Sequence, residues 1–160
     1  MMRKKTKLLT MTIGIVFLMS LACPSFAADI ESVVTTDWLG QNLDKVVVLD
    51  IRKVEEYKAG HIPGAINRPY TEDVVTSSNK VATFRSPEAL AEAYARIIPS
   101  KDTDVIIHCR TGHQASQTFF VLKHLLGYSR VRWYDAGWTE WAARPELPIV
   151  NETPAGTPVP

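Results

Sequence analysis

Cysteine is nearly missing from this chain. There are two in 160 residues, Cys23 and Cys109, and the first lies in a stretch that reads as a leader. A mature chain holding Cys109 alone has no internal disulfide. The apolar run Leu8 to Ala22 is short of the roughly 20 residues that a membrane span takes. A basic excess is missing as well: 18 Lys and Arg stand against 17 Asp and Glu, a net charge of +1. That excludes the electrostatic footprint of a nucleic-acid or anionic-membrane binder. Internal repeats are absent too, and the length suits one domain of ordinary size with a full core.

What is there begins with a leader. Met1 to Lys7 is basic without an acid, Leu8 to Ala22 is apolar, and Ser25 and Ala27 are the small residues that precede a cleavage site. Residues 1–27 therefore read as a secretory signal peptide. The mature protein is expected to be exported, in a bacterial periplasm, and free of the membrane after cleavage. An uncleaved anchor is the alternative. A lipoprotein is another, since Ala22 precedes Cys23, although Ser20 stands where such a signal usually has an aliphatic residue. The leader takes four of the 18 basic residues and no acid, which leaves 14 against 17, a net charge of −3.

Strand and helix patterns then alternate. Asp29 to Val34 has some strand character. Thr35-Thr36 caps a helix reaching Leu43, with Trp38, Leu39 and Leu43 inward. Val46 to Asp50 is a β-branched run, the mark of a strand buried on both faces. Val54 to Ala59 reads as a helix closed by Gly60. Pro63-Gly64 is a turn signal, Ala65-Ile66-Asn67 a brief strand, and Tyr70 to Thr83 a polar surface excursion. Ser86-Pro87-Glu88 starts a helix that runs to about Ile98. Asp104 to His108 and Val131 to Tyr134 read as strands, Ala115 to Leu126 and Trp138 to Ala143 as helices. Such alternation implies an α/β fold, a parallel sheet covered on both faces. Asn151 to Pro160 reads as a flexible Pro-rich tail.

The chemistry concentrates at His108-Cys109-Arg110-Thr111-Gly112-His113-Gln114. A strand runs into a short loop headed by cysteine, and a helix follows. Loop amides and a helix N-terminus then converge on one spot, suited to an anion or a thiolate. In parallel α/β sheets ligands bind beyond the carboxyl ends of the strands, and Cys109 stands at such an end. A free thiol, with a pKa of about 8.5, is mostly protonated at neutral pH, and a helix N-terminus or a cation lowers that value. Gly112 permits the tight turn.

Three other readings compete. A buried, inert cysteine sits poorly with the polar, Gly-containing loop that follows. A cysteine phosphatase or arsenate reductase needs an arginine where this chain has Ala115, next to Ser116, so the bidentate clamp on the oxyanion is missing. A metal site from Cys109, His108, His113 and His61 has poor geometry, because neighbours on a strand point to opposite faces.

With these residues laid out, the chain resembles the rhodanese family of sulfurtransferases, in its single-domain form. Three blocks carry the resemblance: Leu49-Asp50-Ile51-Arg52 with Glu55-Glu56-Tyr57 and Gly60 to Asn67; Cys109 to Gln114; and Tyr134 to Trp141. The last is similar to the closing motif in the catalytic half of thiosulfate and mercaptopyruvate sulfurtransferases. The resemblance implies a three-layer rhodanese-like domain over residues 30–150, a five-stranded parallel sheet flanked by helices. It implies that Cys109 takes a sulfane sulfur from a donor such as thiosulfate, forms a persulfide, and passes the sulfur to cyanide or a thiol. The expected partners are a small sulfur donor and a thiophilic acceptor, a thiol protein among the candidates. No metal or organic cofactor is implied. Two positions depart from the pattern: Gln114 stands where a basic residue is common, and Ala136-Gly137 where that subgroup often has Gly-Ser.

Cys109 is thus the expected catalytic residue, with Arg110, Thr111, Gly112, His113 and Gln114 binding the substrate. Arg110 and His113 are expected to attract an anionic donor, their alternative being plain solvated charges. Asp50 and Arg52 end a strand on the same side and are expected to pair and brace the loop. Trp138 is a supporting residue and a candidate wall of the donor pocket, its alternative being a place in the core, where tryptophans more often stand. His108 is expected to be a packed side chain rather than a catalyst, and His61 to tie down the Pro63-Gly64 turn. A non-enzymatic alternative, a sulfur carrier or sulfide-binding protein, uses the same cysteine and differs only in turnover.

Overall fold

Residue alternation along two central strands decides the architecture. In the computed structural model, which describes residues 32–152, β1 (Val47–Asp50) and β5 (Val105–His108) pair in parallel, Leu49 beside Ile107 and Asp50 beside His108. Side chains of a strand alternate between faces. Leu49, Ile51, Val105, Ile107 and Cys109 accordingly join one core cluster, and Val48 and Ile106 the other. The first cluster is covered by α3 (Pro87–Ala95) through Leu90 and Tyr94, and by the helix after the cysteine loop. The second is covered by α1 (Thr36–Gly40) through Leu39 and by α5 (Gly137–Ala143) through Trp141. The layers are helix, sheet, helix, as expected of the fold.

The sheet has four strands in the order β2, β1, β5, β6, where β2 is Ile66–Asn67 and β6 is Val131–Trp133. Among the described residues the expected fifth strand is represented by one parallel bridge, Val33 with Trp133. Ser32 and Val34 bond the Trp133 backbone on either side of it, at 2.7 and 2.9 Å. The strand character read into Asp29 to Val34 is thus present, in its described part Ser32 to Val34, as a fringe of the sheet.

The excursion after Tyr70 is more ordered than a surface loop. A 3-10 turn, Tyr70–Asp73, leads into an antiparallel hairpin of β3 (Val74–Thr76) and β4 (Ala82–Phe84). Asp73 turns fully inward and accepts from the Tyr94 hydroxyl at 2.6 Å and from Arg68 at 3.0 Å. Polar composition hid this, because one buried carboxylate anchors an otherwise exposed segment. The helix read over Ala115 to Leu126 is α4 (Ala115–Phe120) continued by a π turn, Val121–Leu125. Gly127, with φ +70, ends it.

α2 (Val54–Ala59) is closed by Gly60, as expected, though not in the left-handed conformation. Gly60 is extended, with φ 168. Its missing side chain makes room for Trp138, whose ring would stand 3.0 Å from a Cβ there. His61 reaches back to the Tyr57 carbonyl at 2.9 Å and stacks on the Tyr57 ring, while Gly64 takes the left-handed conformation, φ +75. The leader 1–27 and most of the expected tail lie outside the described residues. The first two tail positions do not hang free: the Glu152 amide donates to the Lys58 carbonyl at 2.9 Å.

Candidate active site

β5 delivers Cys109 to the carboxyl edge of the sheet, and the loop Arg110 to Gln114 carries the chain over into α4. Cys109 is fully buried and on the α3 and α4 face. Burial alone fits the inert-cysteine reading as well as an active one, so the loop must decide. Its carbonyls and amides are sorted. The first turn of α5 takes the carbonyls: Trp138 N–H donates to Cys109 O at 2.9 Å, and Thr139 donates to Arg110 O from both its amide and its hydroxyl, at 3.0 Å each. The amides of Arg110, Thr111, Gly112, His113 and Gln114 find no acceptor among the described residues. A run of unclaimed amides in the loop that follows a thiol offers donors for a negative sulfur.

Two glycines allow this clasp. Gly112 has φ +85, and a Cβ there would stand 2.4 Å from Asp135 Oδ1 and 2.5 Å from Asp135 O. Gly137 has φ +63, and a Cβ there would stand 2.7 Å from Cys109 O and 2.8 Å from Arg110 O. The closing motif is thus the clamp on the cysteine loop, a role that its distance in sequence concealed. Gly112→Ala is expected to lose about 2 kcal/mol or more of stability, from strain and backbone collision together. Urea unfolding measures it, and sulfur-transfer activity should fall with it. Unchanged values of both would mean that the turn tolerates a side chain.

Asp50, Arg52 and His108 form a buried group behind the loop. Arg52 Nη2 lies 2.5 Å from Asp50 Oδ2, and Arg52 Nε donates to both carboxylate oxygens at 2.9 and 3.0 Å. The same guanidinium donates to Gly60 O at 2.8 Å and lies 4.5 Å over the Trp138 ring. His108 Nε2 is 3.7 Å from Asp50 Oδ2 and has no hydrogen-bond partner among the described residues. Burial pushes the Asp50 carboxyl up. Charge on His108, and the hydrogen bonds and charge of Arg52, outweigh burial and hold Asp50 below the usual carboxylate range. Burial pushes the His108 imidazole down, against the pull of Asp50. At neutral pH His108 is therefore uncharged, and Arg52 is the cation that keeps Asp50 ionised.

The depressed His108 value fixes a sign. The unfolded chain takes a proton near pH 6.5, while the folded protein refuses it until lower pH, so stability falls as pH drops below 6.5. The slope from this group is at most about 1.4 kcal/mol per pH unit. Chemical denaturation at pH 7 and pH 5 should show it, and His108→Gln should flatten it. An unflattened slope would place its origin elsewhere. His108 faces the α5 layer, 6.2 Å from the Tyr134 ring, while Cys109 faces the other. It is therefore no base for the thiol.

An open cleft of about 830 Å3 lies over the loop. It is lined by Arg110, Thr111, His113 and Gln114 of the loop, by Arg52, Lys53, Glu55 and Glu56 around the start of α2, and by Tyr70. The structure brings together the expected binding residues, apart from Gly112, which is buried beneath them. Trp138 does not line this cleft. It lies under Arg52 and against Gly60, which makes it part of the support rather than the wall. Arg110 is 63% exposed and pairs with Glu56. Glu56 was not singled out in the sequence, and neither were Asp135 and Thr139. Only their position inside the quoted blocks could have drawn attention to them. Among the described residues no three His, Cys, Asp or Glu side chains gather as a metal site.

An α/β domain whose carboxyl edge holds one cysteine under a loop of free amides is the class that the fold and site define. Residues 35–144 match the Rhodanese-like domain, and the chain belongs to the rhodanese family. It is similar to the sulfur carrier protein TtuD of Thermus thermophilus, 37% identical over 123 residues, which are 67% of this chain and 42% of that one. It is also similar to the putative thiosulfate sulfurtransferase SseA of Mycobacterium bovis, 37% identical over 134 residues, 73% of this chain and 43% of that one. The chain thus spans about two fifths of the length of these relatives, 42% and 43%. Among solved structures, EanB in complex with ergothioneine has a TM-score of 0.67 at 24% identity, covering 78% of this chain and 33% of that one. A protein from Anabaena has a TM-score of 0.55 at 21% identity, with 74% and 81% covered. These two likenesses are of fold.

Proposed function

We propose that the protein is a sulfurtransferase that carries sulfane sulfur on Cys109 as a persulfide. The observation that carries this reading is the sorting of the loop: carbonyls of Cys109 and Arg110 bonded to α5, amides from Arg110 to Gln114 unclaimed. The Cys109 thiolate attacks the outer sulfur of thiosulfate. The sulfur–sulfur bond of the donor breaks, and sulfite leaves with the bonding pair. Cyanide then attacks the outer sulfur of the persulfide, thiocyanate leaves, and the thiolate returns. The free amides stabilise the negative sulfur in each state without a titrating base. Because Cys109 has no exposed surface in the resting loop, the donor reaches it only as the loop yields.

Mass spectrometry of the intact protein tests the reading. Thiosulfate should add one sulfur on Cys109, and cyanide should remove it. No gain would sink the proposal. The relative named as a sulfur carrier favours a second version, in which the persulfide forms and passes only to a thiol protein. Steady-state release of thiocyanate over many turnovers selects the enzyme, and a single stoichiometric transfer selects the carrier.

A further inference from the structure

We infer that Glu56 is a specificity-determining residue, which acts by holding Arg110 away from an anionic donor; the inference rests on the sulfurtransferase reading above. Glu56 sits at the third position of α2, and its Oε2 accepts from the Lys53 amide at 3.3 Å, capping its own helix. Its Oε1 receives Arg110 across the cleft. Glu56 is 25% exposed against 63% for Arg110, so the carboxylate is the fixed member and the arginine the tethered one. The loop's one guanidinium is therefore neutralised at rest by an acid held in place by a helix N-terminus.

The rest of the cleft repeats the balance. Lys53 and Arg110 are matched by Glu55 and Glu56, Arg52, which also lines it, is spent on buried Asp50, and the remaining ionisable side chain of the loop, His113, carries no permanent charge. Nor does Gln114 add a cation at the end of the loop. A doubly charged inorganic donor such as thiosulfate thus meets no net positive field from the walls, only the loop amides. A donor or acceptor of low charge, or one that carries an ammonium beside its sulfur, meets no penalty. Glu56 is the residue that tilts the choice, because it removes the one exposed charge attached to the cysteine loop.

Glu56→Gln isolates the charge, since glutamine keeps the capping hydrogen bond. Its kcat/KM for thiosulfate, with cyanide as acceptor, should rise about three- to tenfold at low salt, the size of one charge acting on a dianion at several ångströms in a solvated cleft. The gain should appear in KM, should shrink in 1 M salt, and should be smaller for methanethiosulfonate, a singly charged donor. Glu55→Gln, on the same wall with no ion pair among the described residues, should gain less. The wild-type protein should show a shallower salt dependence than Glu56→Gln. The inference fails if Glu56→Gln leaves the thiosulfate kcat/KM unchanged or lower, if Glu55→Gln gains as much, or if the two donors gain equally. A wild-type kcat/KM that falls steeply with salt overturns it without any variant. Absence of the persulfide in the wild type, by contrast, is failure of the sulfurtransferase reading itself.

Discussion

Cys109→Ser is expected to abolish sulfur transfer while the domain stays folded. A serine hydroxyl is not ionised near neutral pH, and its oxygen forms no persulfide. The second displacement then has no sulfur to take, whatever the acceptor. The loss should be at least a thousandfold in kcat/KM, about 4 kcal/mol of transition-state stabilisation, down to background. The fold should tolerate the exchange. Cys109 is fully buried, and a buried hydroxyl costs about 1–3 kcal/mol unless bonded, within the 5–15 kcal/mol that ordinary domains possess. The thiosulfate–cyanide assay and intact mass check it together. Residual turnover with an unmodified serine would move the chemistry to another group. None is at hand: no other cysteine lies among the described residues.

Much of the fold was legible in the sequence, for a physical reason. Val47 to Asp50 and Val105 to His108 are buried on both faces, so their composition alone marks them as inner parallel strands. Ser86 is a capping residue by type, and it caps α3, its hydroxyl accepting from the Ala89 amide at 3.3 Å. What composition could not show is pairing at a distance. The hairpin of β3 and β4 is made of short, exposed strands, and its anchor Asp73 reads in sequence like any surface acid. The stretch expected as the fifth strand is only partly among the described residues: Val33 has the right character, and there it makes one bridge to the edge.

The site divides along the same line. Cys109 and the loop were legible because strand, glycine and helix follow in one short stretch. The pairing of Asp50 with Arg52 was legible because both lie at one strand end. The clasp by Gly137 and Thr139 joins residues that are neighbours only in space. So does the link of Arg110 to Glu56, and it turns a residue expected simply to attract anions into one whose charge is already taken. Trp138 was a candidate for the pocket wall, with packing in the core as its alternative, and the second is what is found. The guanidinium above it and Gly60 beside it explain why it is found behind that wall instead.

Arg52→Met should be the most destabilising single change at the site, by about 3–5 kcal/mol in urea unfolding at pH 7, because it leaves a buried carboxylate without its counter-charge. Three contacts go at once: the fork onto Asp50, the bond to Gly60 O at 2.8 Å, and the stacking over Trp138. The first joins β1 to its own following turn. The other two tie that turn to the end of α2 and to the α5 clamp on the cysteine loop, so activity should fall beyond what unfolding explains. The pH dependence distinguishes this cause from lost packing. In the wild type Asp50 is held below its ordinary value of 3.8, so its contribution is present above that pH and is lost as pH falls through the lowered value. Without Arg52 its hydrogen bonds and charge no longer oppose burial, and the Asp50 value rises. The variant then gains stability relative to the wild type as acid neutralises the carboxyl. Removing Arg52 also takes away one of the charges that depress His108. That weakens the His108 slope in the variant and moves the gap between the two curves in the same direction, so that gap is the quantity to follow. It should narrow on acidification. Asp50→Asn combined with Arg52→Met should recover part of the loss at pH 7, since no charge is then stranded. A gap that stays constant from pH 7 to pH 4, or a double variant no better than Arg52→Met, would mean that Arg52 supports the loop by its bulk and not by its charge.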